Sequence, residues 1–157
     1  MDPQQLLAVL EATFSPVPEQ RHQAETVLAQ LSKQHGFSTV LLQLVATDDM
    51  SAGVRQAGAI YFKNMVVRSW NVPQLMEGEQ PGSRFEISDA DKSVAREHLV
   101  DTFAKAGKRV RTQLLTAISK IVDNDFPKAW TGLLPQVRKG ICKRKKPLNS
   151  GPRCARF

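Results

Sequence analysis

Apolar positions recur along this chain at intervals of three and four, the period of amphipathic helices. The clearest case is Val54 to Trp70, VRQAGAIYFKNMVVRSW, which has no Pro and one internal Gly, Gly58. At about 100° per residue, Val54, Ala57, Gly58, Tyr61, Phe62 and Met65 share one broad face. Ile60 and Val67 make a second apolar strip, so only a narrow polar edge remains, marked by Gln56 and Lys63. A helix apolar over most of its circumference is buried on more than one side. It is either an inner helix of stacked helical repeats or the central helix of a closed bundle.

Six more helices follow from the same pattern and its punctuation. Asp2 caps a first helix with Pro3 at its first position, and Leu6, Leu7, Leu10 and Phe14 form its apolar face. Ser15-Pro16-Val17-Pro18 turns the chain into a second, from about Pro18 to Gln34, with Ala24, Val27, Leu28 and Leu31 inward. Gly36 stops it. Phe37 to Thr47 is a short apolar third, and Ser51 or Asp49 caps the central fourth. Asn71 to Ile87 is a loop rich in Pro, Gly and acid, long enough to suggest a function or mobility. Ser88, with Asp91 three residues on, opens a fifth helix carrying Val94, Leu99 and Phe103. After Gly107 a sixth carries Val110, Leu114, Ile118, Ile121 and Val122 and ends before Pro127. Trp130 to about Ile141 starts a seventh, with Leu133, Leu134 and Val137.

These helices fall into pairs. First members start near residues 3, 37, 88 and 128, and the long middle interval contains the loop. Without it the mean approaches helix-pair repeat lengths, and the tetratricopeptide signature is missing, which leaves HEAT-like pairs. The expected fold is all-α: an α-solenoid of about three and a half HEAT-like repeats over residues 1–137, followed by a basic disordered tail at 138–157.

Charge supports that division. Of the net +7, residues 1–137 contribute −1, with 14 Lys+Arg against all 15 Asp+Glu, and residues 138–157 contribute +8. The basic character therefore belongs to the tail. Two cysteines, both near the C-terminus, speak against a disulfide scaffold and fit a reducing compartment. No apolar run reaches the ~18 residues of a membrane span, and the polar, acidic start is no secretory signal.

Catalytic chemistry is not indicated. His22, His35 and His98 have no partner at helical spacing and no nearby Cys, and no glycine-rich phosphate loop follows a strand. Asp48-Asp49 and Asp123-x-Asp125 read as caps and turn residues. Lys143-Arg144-Lys145-Lys146-Pro147 could bind nucleic acid, serve as an import signal, or be a solvated charged tail. No aromatic residue interleaves with it to stack on bases.

Three segments together resemble a known family. VRQAGAIYFKNMVVRSW is similar to the N-terminal signature of the importin-β superfamily of nuclear transport receptors, at Val54, Arg55, Gln56, Gly58, Lys63, Asn64 and Trp70. RHQAETVLAQL resembles the family's first B helix through Arg21, Ala24, Glu25 and Leu28. DNDFPKAW matches its acid-x-x-aromatic-Pro-x-x-Trp motif at Asp123, Phe126, Pro127 and Trp130. Together with the opening MDPQQLLAVLEATFSP, that last motif most resembles the branch of importin seven and importin eight.

The resemblance implies HEAT repeats with A helices outside and B helices, at 18–34, 51–70 and 108–124, lining a concave surface. It implies binding to the GTP form of the Ran GTPase, with Arg55, Gln56, Lys63 and Asn64 as candidate contacts. Asn64 could equally bond the backbone of a neighbouring repeat, and Trp70 and Trp130 are expected as core anchors. A full-length receptor of this kind binds import cargo and nuclear pore proteins, needs no cofactor, and works in the cytoplasm, the nucleus and at the nuclear envelope. Family members run through many more repeats. The expectation is therefore a truncated product whose tail, from Arg138, lies outside the repeat and leaves Leu133, Leu134 and Val137 partly bare. The alternative reading is a small basic nucleic-acid-binding protein acting through its tail.

Overall fold

The computed structural model describes residues 2–71 and 85–144, the last two as backbone only. The described residues form α1 (Pro3–Ala12), α2 (Pro18–Leu31), α3 (Phe37–Ala46), α4 (Ala52–Ser69), α5 (Asp89–Lys105), α6 (Lys108–Asp125) and α7 (Leu133–Arg144), with no strand. Packing follows the pairs: α1 on α2, α3 on α4, α5 on α6. First members also stack on one another, α1 on α3, α3 on α5 and α5 on α7, while α4 and α6 share the most extensive contact of all. Two layers advancing in register, each pair leaning on the next, make the HEAT-like solenoid.

Local chemistry sets the helix starts. Asp2 accepts from the Gln4 amide at 3.0 Å, and Ser51 Oγ accepts from the Val54 amide at 3.2 Å. Ser88 Oγ accepts from the Asp91 amide at 3.2 Å. Asp91 also reaches across the stack, where its carboxylate receives the Gly36 amide at 3.0 and 3.3 Å. Gly36 sits at φ 81°, a left-handed turn that favours glycine, at the start of α3. A residue read as a cap for α5 thus fixes α3 against α5. The chain on either side of residues 72–84 is joined by the Ile87 amide donating to the Ser69 carbonyl at 3.0 Å.

The core is continuous, with Leu6, Leu10, Leu41, Leu99, Leu114 and Ile121 almost wholly enclosed. Several expected inward residues are not. α1 stops at Ala12, so Phe14 is 55% exposed beyond its end. Val27 is exposed because α2 packs on α1 and has no comparable contact with α4. Trp70 and Trp130 are buried anchors, as expected.

The C-terminal boundary needs correction. The sequence pattern places a disordered tail from Arg138, but residues 138–144 continue α7. Lys and Arg are good helix formers, and Val137 and Ile141 extend the apolar period past the change in charge. Leu133 is buried, while Leu134 and Val137 are bare. The rest of the expected tail, 145–157, and most of the expected loop, at 72–84, lie outside the described residues.

Candidate functional site

α4 packs on α3, α6 and α1. Its approach to α3 is close at Gly58, where an added Cβ would lie 2.9 Å from Val45 Cγ2 and 3.4 Å from Leu41 Cδ1. Ala59 and Val66 are fully enclosed, and the sequence pattern did not single them out. Taking Gly58 as the side turned to α3, Gln56, Ile60, Lys63 and Val67 lie about 140–200° around the helix from it. That is the edge the periodicity left open, facing away from the first-helix layer.

The structure differs from the sequence reading in what this edge contains. Ile60 and Val67 do not form a separate buried strip; they share the edge with Gln56 and Lys63, and Val67 is 49% exposed. Gln56, Lys63 and Asn64 are half-buried, and no described residue hydrogen-bonds to their side chains. For Asn64 this removes, among the described residues, the alternative of a bond to a neighbouring repeat's backbone.

Arg55 is elsewhere. It lies on the flank toward the core, where its Nε donates to the Val45 carbonyl at 3.0 Å and its Nη1 pairs with Asp48 at 3.0 Å. Its guanidinium ties the end of α3 to the start of α4, so it is a structural tether and not part of the open edge.

α6 extends the surface. Trp70 Nε1 donates to Asp125 Oδ2 at 3.1 Å and Asn71 Nδ2 donates to Asn124 Oδ1 at 3.0 Å, so α4 and α6 end side by side and run parallel. Thr112, Thr116, Ser119 and Asp123 on α6 are all exposed. Their 4, 3, 4 spacing is a helical stripe of its own. Sequence reasoning missed it because only apolar periods were followed. The Thr112 and Thr116 hydroxyls bond back to their own helix, leaving short, smooth side chains.

Asp125 holds this arrangement. Arg96 of α5 donates to the carboxylate oxygen that also receives Trp70 Nε1, at 2.7 Å, with both charged side chains mostly enclosed. The sequence motif stressed Asp123, which is exposed; Asp125 makes the bonds.

The surface holds one cation (Lys63), one carboxylate (Asp123), two amides, two apolar residues and a row of small hydroxyls. Among the described residues no group of three potential ligands could hold a metal ion, and all three histidines are exposed. The surface suits contact with another protein, a polar rim around partly exposed apolar side chains. A cleft of about 200 Å³ lies on the other layer, between α3 and α5. At its edge the Asp101 carboxylate bonds the Lys105 ammonium and raises its pKa.

Residues 24–105 match the family model described as the importin-beta N-terminal domain. The chain is 34% identical over 139 residues to importin-8 of Danio rerio, a match covering 87% of this chain and 13% of that protein. It is 32% identical over 113 residues to a probable importin-7 homolog of Dictyostelium discoideum, covering 72% of this chain and 10% of that one. The chain therefore spans only a small part of the length of the curated relatives it matches. Its fold is similar to that of the exportin Cse1 in its cargo-free, cytoplasmic state. That likeness has a TM-score of 0.72 at 24% identity over 96% of this chain and 17% of the other.

Proposed function

Because the chain belongs to the importin-beta N-terminal domain family, whose model spans more than half of it, we propose that it is the N-terminal, Ran-GTP-binding portion of an importin-β-type nuclear import receptor. The observation that carries this reading is the open edge of α4. Gln56 and Lys63 stand there beside the bare Val67, with Asn64 at its margin, and none is engaged by the described residues. These are our candidate contacts; Arg55 is withdrawn because its bonds are internal.

The role is binding without catalysis. In a full-length receptor, cargo and Ran-GTP favour different states of the solenoid, and loading of one ligand releases the other. Cargo and pore proteins would engage parts of the receptor beyond this region, which would work in the cytoplasm and nucleus. The relatives matched are transport receptors by name, which supports this class of function over an enzymatic one.

A pull-down with the 157-residue chain tests the reading. Ran loaded with a non-hydrolysable GTP analogue should be retained, and Ran-GDP should not. Equal recovery of the two forms, or of neither, counts against any Ran role.

A further inference from the structure

The α4–α6 joint brings two lysines together from distant parts of the sequence. Trp70 and Asn71 are bonded to Asp125 and Asn124, which fixes the register of these parallel helices. Counted back from that end, Lys63 lies seven or eight residues along α4 and Lys120 four or five along α6. The two are thus roughly 5 Å apart along the axis, at ~1.5 Å of rise per residue. Direction around each helix agrees. Tyr61 bonds to α2, so the opposite flank of α4, with Ala59 and Val66, faces α6, and Lys63 leans toward that flank of the open edge. Asn124 bonds to Asn71, and Lys120, four residues earlier, shares that α4-facing side of α6.

Both lysines are half-buried, and no described residue pairs with either ammonium. Their surroundings are short of acid. Along α4 and α6 there are seven Lys and Arg against two Asp, whereas α3 and α5 together have three against four Asp and Glu. Of the two Asp, Asp125 is taken up by Arg96. Like charges held side by side and partly out of water repel, and an anion between them relieves both costs. The neighbourhood also selects the kind of anion. No aromatic residue stands on the α4 edge or the α6 stripe to stack on a base. Exposed Asp123, one turn beyond Lys120, would repel a phosphodiester chain laid along the joint. A single protein carboxylate seated beside Val67, 49% exposed, meets neither obstacle.

We infer that Lys63 and Lys120 together receive an aspartate or glutamate side chain of the protein that docks on the α4 edge. Lys120 is then a specificity-determining residue, contributed by the next repeat and absent from the sequence motif that marks Lys63. A partner with an apolar or basic side chain at that point leaves the two ammoniums uncompensated and is disfavoured. The proposal rests on the reading of the α4 edge as the Ran-binding surface.

The test is titration of Ran, loaded with a non-hydrolysable GTP analogue, into the 157-residue chain at low and high salt. Lys120→Gln removes the charge and keeps most of the side-chain stem, and unchanged circular dichroism would show that the fold survives. It should weaken binding about fivefold at low salt and flatten the salt dependence. Lys120→Arg should restore both. A purely structural role for Lys120 would not move the salt dependence. If the parent binds and Lys120→Gln binds equally well with the same salt dependence, the proposal is overturned and the Ran reading stands. If the parent binds neither nucleotide form, both are overturned together. Displacement of Ran by an oligonucleotide, lost in Lys120→Gln, would assign the pair to phosphate and overturn the carboxylate.

Discussion

Between α4 and α6, contact runs along both helices and closes in a polar knot where Trp70 and Arg96 converge on Asp125. Between α2 and α4 there is little more than one bond, from the Tyr61 hydroxyl to the Leu28 carbonyl at 3.3 Å, with the Tyr61 ring set edge-on to Phe37. Val27 of α2 stays exposed, whereas Ala59 and Val66 of α4 are sealed. The same layer thus contains a welded joint and a loose one. Helical periodicity alone does not separate them, because it reports which face of a helix is apolar and not how closely the next helix approaches. The welded joint holds the α4 and α6 stripes side by side as one surface.

Mutations should separate the two joints. Trp70→Ala should have the largest effect, because it empties an enclosed site and leaves Asp125 with one donor fewer. The expected loss is ~3–5 kcal/mol, read by denaturant unfolding. Asp125→Ala should follow at about 2–4 kcal/mol, since Arg96 would be left mostly enclosed without its carboxylate. Gly58→Ala should cost on the order of 1 kcal/mol, because the crowding at Val45 outweighs the gain in helix propensity. Tyr61→Phe, at the loose joint, should cost only about 0.5 kcal/mol. Hydrogen exchange sharpens the comparison further: α2 amides should exchange through local opening well before those of α6. Equal protection of the two helices would erase the distinction.

Much of the architecture was legible in the sequence. All seven helices, their pairing and the open edge of α4 follow from apolar spacing, caps and prolines. What escaped depends on tertiary approach. Ala59 is too small to register as a core residue in a hydrophobic pattern, yet it is enclosed because α6 comes close. Arg55 and Lys63 look alike in a motif, but only the structure shows the first bonded inward and the second left unengaged. Asp125 could be read only as a turn residue until Trp70 and Arg96 were brought to it from other helices. The change of charge at Arg138 suggested an end to the repeat, although basic residues continue a helix readily and α7 does so.

The account rests on the claim that the partner-binding surface is the α4 edge and not the outer layer. Calorimetric titration of Ran, loaded with the GTP analogue, into the chain and two charge-reversal variants tests it most directly. Lys63→Glu lies on the edge, and Lys105→Glu lies on the opposite layer. The account predicts that Lys63→Glu weakens binding about tenfold or more while Lys105→Glu leaves it unchanged. Loss with Lys105→Glu and none with Lys63→Glu would contradict it.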